Sequence, residues 1–137
     1  MASALRRRGA TDEQMPLTKS GTPYKGGYAH HPCTVWAGDS YANWSWLWNH
    51  GMALCEEYEK RFGREHACYE PISFMGGTTV HWPHPHVLTP FAQAMPDEYR
   101  NDDVVKAYRA YYHSKTFAKW EKGTSAPDWW QGVEVTV

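Results

Sequence analysis

From Ser40 to Gly63 the chain reads SYANWSWLWNHGMALCEEYEKRFG. Trp44, Leu47, Trp48, Gly51, Cys55, Tyr58 and Phe62 recur there at steps of three and four, the spacing of one face of an α-helix. The other side carries Asn43, Asn49, His50, Glu56, Glu57 and Lys60. Asp39 or Ser40 can offer a side-chain oxygen to the amides of the first turn. Lys60 and Arg61 followed by Gly63 is the order expected at a helix carboxyl end. The stretch therefore predicts an amphipathic helix of roughly five to six turns, with Trp44, Leu47, Trp48, Cys55 and Tyr58 in the core. Gly51 costs a helix about 1 kcal/mol relative to alanine, which predicts a close crossing with another element. Trp46 points away from the Trp44–Trp48 stripe and must meet another element, a partner or a base.

Outward from this helix the pattern weakens. Residues 1–30 carry Arg6-Arg7-Arg8 and scattered Pro16, Gly21, Pro23, Gly26 and Gly27 with no sustained period, so they read as a flexible or extended arm. A short helical stretch is expected over His66–Phe74, limited by Pro71 and ended by Gly76-Gly77. Thr78–Pro90 reads as a proline-rich connector, extended at His81-Trp82-Pro83-His84-Pro85-His86 because residues before proline avoid the helical region. Thr89-Pro90 resembles a helix start leading into Phe91–Met95. A last helix is expected from Asn101 or Asp102, continuing toward Trp120, and Val133–Val137 alternates weakly. The fold class is mainly α: a compact small helical domain over 31–137, with an extended amino-terminal arm.

Composition narrows the function. The 137 residues are 21% charged, against about 25% on average, with a formal net charge of -1. That excludes a polybasic phosphate-coating protein, while leaving room for an enzyme that concentrates a few cations at one site. Eight Trp, nine Tyr and four Phe are more large rings than one small core accommodates, so several should line a groove or an interface. Cys33, Cys55 and Cys68 are odd in number and widely spaced, which favours free thiols in a reducing cytosol. No apolar run approaches the ~20 residues of a membrane span. The histidines at 81, 84 and 86 fit no standard metal spacing, so neither a metal nor another cofactor is expected.

Two groups of residues carry a resemblance. The first runs through His31-Pro32-Cys33-Thr34-Val35-Trp36, Ser40, Asn43, Trp46-Leu47, Leu54-Cys55-Glu56-Glu57-Tyr58 and Arg61-Phe62-Gly63-Arg64-Glu65-His66. The second is Leu88-Thr89-Pro90-Phe91-Ala92-Gln93-Ala94-Met95-Pro96-Asp97-Glu98-Tyr99, then Tyr108-Arg109-Ala110-Tyr111-Tyr112 and Pro127-Asp128-Trp129-Trp130. Together they resemble a family carried by tailed phages and by scattered bacteria and archaea. Some of its members are labelled pyrimidine-dimer DNA glycosylases. The resemblance implies a phage-type DNA-acting protein, a base-excision glycosylase or a DNA-modification-related hydrolase, working in the host cytoplasm. Typical members have a preceding Cys-Asp-Lys-His stretch and an arginine at the position of Gly38; this chain has neither.

A glycosylase needs a carboxylate near the sugar and a nucleophile or activated water at the anomeric carbon. Glu57 or Glu56 is the candidate carboxylate, with His31 and Asp39 as further candidate catalytic groups; the alternative makes Glu56 and Glu57 ordinary solvated helix residues and His31 a capping or hydrogen-bonding histidine. Asn43, His50 and Glu57 are seven apart and form one stripe. The stripe is expected to face an aromatic cleft, with Asn43, Trp46, His50 and Tyr112 binding substrate and Arg100 or Arg109 holding a phosphate. An ion pair with a helix carboxylate is the competing account of Arg109. Outside the enzyme class stand two other readings: a helical module that binds a protein partner through exposed aromatics, and a structural subunit of a homo-oligomer.

Overall fold

Ser40 starts the principal helix. Its hydroxyl oxygen accepts the Asn43 amide at 3.0 Å and donates to the Val87 carbonyl at 2.6 Å. The Ala42 amide, which has no partner within the helix, is taken by the Pro85 carbonyl at 3.0 Å. The proline-rich connector therefore serves as a cap for the helix it follows in sequence. In the computed structural model, which describes residues 1–120 and 122–130, five helices and two 3₁₀ turns are present among the described residues. They are α1 (Ala2–Arg7), α2 (Pro32–Asp39), α3 (Tyr41–Phe62), α4 (Tyr69–Met75) and α5 (Val104–His113), with 3₁₀ turns at Asp12–Gln14 and Asp97–Tyr99. The fold is mainly α-helical, and the stretch expected at Val133–Val137 lies outside the described residues.

Helix α3 spans 22 residues and ends at Gly63 in the left-handed conformation (φ +69°), where its amide bonds the Glu59 carbonyl. Trp44 and Cys55 are buried, Leu47 and Trp48 are half-buried against the core, and Tyr58 lies half-buried against Phe62 and His66. Gly51 faces α4, but not at the close crossing expected: a Cβ there would lie 3.5 Å from Ile72, an ordinary contact that does not require glycine. Helix α4 accommodates Pro71 because proline in the first turn forfeits only an amide that has no helical partner.

The amino-terminal segment precedes the helical body, and residues 15–31 carry no helix. Its beginning departs from the expected arm. Ala2, Ala4 and Leu5 form a buried face of α1, which packs on α2. Six residues are too few to show a period or to hold a helix alone, so tertiary burial carries this one. The arginine triplet is spent inside the protein. Arg6 donates to the Tyr24 and Ala10 carbonyls and to Asp12, Arg7 to the Val35 carbonyl and Asp39, and Arg8 to the Gly38 carbonyl. A Cβ at Gly38 would sit 3.1 Å from the Arg7 guanidinium, so this glycine makes room for an arginine arriving from α1.

Two further expectations are corrected. Thr89-Pro90 begins no helix: Asn43 accepts the Thr89 amide and donates to its hydroxyl, which holds the threonine against α3 in place of a first turn. Residues 89–95 instead run irregularly beside α2 and α3. Helix α5 is capped by Asp103, whose carboxylate accepts the Val105 and Lys106 amides, and stops at His113, well short of Trp120. The Ser114 hydroxyl there bonds the Tyr111 carbonyl, and Trp120 turns back under the Arg61 guanidinium.

Candidate functional site

The outward face of α3, the missed helix α2 and the irregular segment after Thr89 meet in a cluster of rings. The Trp36 indole donates to the Thr89 carbonyl at 3.2 Å, which fixes Phe91 against it with ring centroids 4.9 Å apart and planes 30° from parallel. Trp46, turned from the core as its position on α3 requires, meets Phe91 edge-on at 4.7 Å and Trp36 edge-on at 6.0 Å. Four residues on, His50 stacks on Trp46 at 5.1 Å with planes only 12° apart. These contacts build one continuous wall.

Helix α5 supplies the facing side. Its Tyr108 hydroxyl bonds the Ala92 carbonyl and lies 4.0 Å from the Cys33 sulfur. Burial raises the Tyr108 phenol above its ordinary pKa. Tyr112 follows one turn later, and Trp129 returns from the carboxyl-terminal segment to lie 6.3 Å from it. The Arg109 guanidinium rests over the Trp129 ring at 5.3 Å and has neither an ion pair nor a hydrogen bond among the described residues. Val104 and Val105 complete this side. Between the walls lies an open cavity of about 470 Å³.

Trp46, His50, Arg109 and Tyr112, four of the candidate residues, line this one cavity. The others go elsewhere. Asn43 is fully buried: its amide donates to the Trp36 carbonyl and to the Thr89 hydroxyl, both at 2.8 Å, and its oxygen accepts the Thr89 amide at 3.0 Å. It positions the wall and does not face the cavity. Glu57, two turns beyond His50, pairs with Arg61 at 2.9 Å and is absent from the lining, so the expected Asn43–His50–Glu57 stripe does not form one surface of the site. The His31 imidazole nitrogen accepts the Cys33 amide at 3.1 Å, making it the cap of α2. Asp39 pairs with Arg7 at 3.3 Å. Arg100 pairs with Asp97 at 3.5 Å and borders a separate depression with Pro32, Gln93 and Asn101.

Sequence reading missed Cys33, Phe91 and Tyr108 as parts of the site. The spacing Tyr108–Tyr112 places both rings on one side of a helix and was the available signal. Cys33 and Trp36 share a face only once Pro32–Asp39 is a helix. Burial raises the Cys55 thiol, with the neighbouring Cys68 and Glu65 acting electrostatically in the same direction. It sits in the core, away from the cavity, and all three cysteines are free. Among the described residues no group of three or more His, Cys, Asp or Glu side chains is placed to hold a metal ion, and no helix is long and apolar enough to cross a membrane.

Compared with protein-family models, with curated proteins and with solved structures, the chain has no match. The cavity therefore has to be understood from its own chemistry.

Proposed function

We propose that the protein acts on DNA by holding a single base, out of its stack, in the aromatic cavity. The observation that carries this reading is the pairing of a pre-assembled ring wall (Trp36, Phe91, Trp46, His50) with facing tyrosines and an uncommitted guanidinium at Arg109. A base leaving its stack needs replacement stacking surface, and aromatic side chains supply about 1–3 kcal/mol per base. The net charge of -1 suits capture of one nucleotide better than a long track along a phosphate backbone. Glycosidic cleavage would require a carboxylate at the sugar, and no residue lining the cavity carries one. Base capture, rather than bond cleavage, is the role we assign.

A second reading has its own observation. Tyr28 is 88% exposed and Phe117 75% exposed, and neither lines the cavity, so these rings suit contact with another protein or another copy. Titration of the intrinsic tryptophan fluorescence with single-stranded DNA at low salt separates the two. Base capture predicts a saturable change, with log affinity falling against log salt at a slope of only about -0.7 for one phosphate contact. Trp46→Ala should weaken it about tenfold or more. No fluorescence response to DNA, with self-association in sedimentation, would transfer the assignment to the second reading.

A further inference from the structure

We infer that the cavity is a nucleotide site that requires a phosphate on Arg109 and is indifferent to which base it encloses. This rests on the base-capture reading and specifies its ligand. Base edges are read chiefly by Arg or Lys on guanine, Asn or Gln on adenine and Asp or Glu on cytosine. Among the described residues only Arg109 of this set lines the cavity, and a guanidinium engaged by a phosphate is not available to a base edge. The Asn43 amide, which holds the wall, is fully buried with both ends engaged by Trp36 and Thr89. Two of the polar groups in the walls are committed likewise: the Trp36 indole nitrogen to the Thr89 carbonyl, and the Tyr108 hydroxyl proton to the Ala92 carbonyl. What the walls offer an occupant is chiefly π-face, which every base can use.

Arg109 is the exception. Its guanidinium lies over the Trp129 ring at 5.3 Å, a contact that leaves its five N–H donors unspent among the described residues. A guanidinium held at a ring-lined cavity, with no carboxylate in the lining, meets the need of an anion attached to a flat ring. A nucleoside phosphate has that form, whether it is a free mononucleotide or one unit of a DNA single strand.

The test titrates the protein with thymidine, with the four deoxynucleoside 5′-monophosphates and with a short oligothymidylate. Thymidine monophosphate should bind about tenfold or more tighter than thymidine, the gain of one charge-assisted pair. The two purine nucleotides should agree with each other within about fivefold, as should the two pyrimidine nucleotides, below what a bidentate base contact confers. In Arg109→Gln, an exposed position whose change leaves the fold intact, the phosphate-to-nucleoside ratio should fall to about one. A smaller phosphate advantage in the wild type, a ratio retained in Arg109→Gln, or a larger preference within either ring size overturns the inference. Thymidine binding without a phosphate advantage would sink this inference and leave base capture standing, whereas no binding by any of these ligands would sink both. Tighter binding of the oligothymidylate than of the monophosphate identifies the strand as the source, and the reverse identifies the free nucleotide; either supports the shared chemistry.

Discussion

Asn43 and Thr89, 46 residues apart in sequence, exchange two hydrogen bonds: the asparagine amide donates to the threonine hydroxyl at 2.8 Å and its oxygen accepts the threonine amide at 3.0 Å. With the third bond to the Trp36 carbonyl, one buried side chain ties α3, α2 and the segment bearing Phe91 into a single wall. Asn43→Ala would leave these groups without their partner at a largely buried site. The expected cost is about 3 kcal/mol in urea melts, together with loss of the cavity's ability to bind rings. A melt close to wild type would show that the wall does not depend on this residue.

Two glycines flank the α3–α4 contact and should respond in opposite directions. A Cβ at Gly51 would lie 3.5 Å from Ile72, an ordinary contact. Gly51→Ala is therefore expected to stabilise the protein by up to about 1 kcal/mol through helix propensity. At Gly76 a Cβ would fall 2.6 Å from the Trp48 ring, which is held by its indole bond to the Ile72 carbonyl at 2.8 Å. Gly76→Ala should cost about 1–3 kcal/mol. Thermal melts of the pair decide this, and equal shifts of the same sign would contradict it.

Cys55 should give the stability an alkaline limit. Burial first, then Cys68 and Glu65, raise its pKa in the fold, so the folded state retains the thiol proton longer than the unfolded chain. Its contribution is present in full below the ordinary thiol pKa and is lost as pH rises through the raised value. Cys55→Ala should flatten the alkaline fall in denaturation midpoint relative to wild type. An unchanged profile would place the limit elsewhere, for instance at Tyr108, whose raised phenol acts in the same direction.

Glu57→Gln should leave DNA affinity unchanged and cost no more than about 1 kcal/mol of stability, because its carboxylate pairs with Arg61 and does not line the cavity. A clear loss of DNA binding, with the fold intact, would restore Glu57 to the site.

Those responses follow how unevenly the sequence exposes its own structure. Helix α3 was legible because 22 residues repeat a period many times and carry their own cap and stop. The rings of Trp46, His50 and Tyr112 and the cation of Arg109 were legible because helical spacing sets their faces. Helix α1 was not, since two alanines and a leucine in six residues carry no period and are helical only by being buried. Thr89-Pro90 misled because a side chain distant in sequence holds the threonine against α3. Glu57 misled for a related reason: a stripe on one helix is a shared surface only if another element covers its whole length, and the facing wall reaches His50 but not Glu57.

The most direct test of a base in the aromatic cavity is photocrosslinking of a DNA single strand containing 5-iodouracil, followed by mass mapping of the attached peptide. Base capture predicts attachment to the ring wall, at Trp46, Phe91 or Trp36, and its disappearance when Trp46 is replaced by alanine. Attachment only outside the cavity, for instance at Tyr28 or Phe117, or none at all under low-salt conditions, would contradict it.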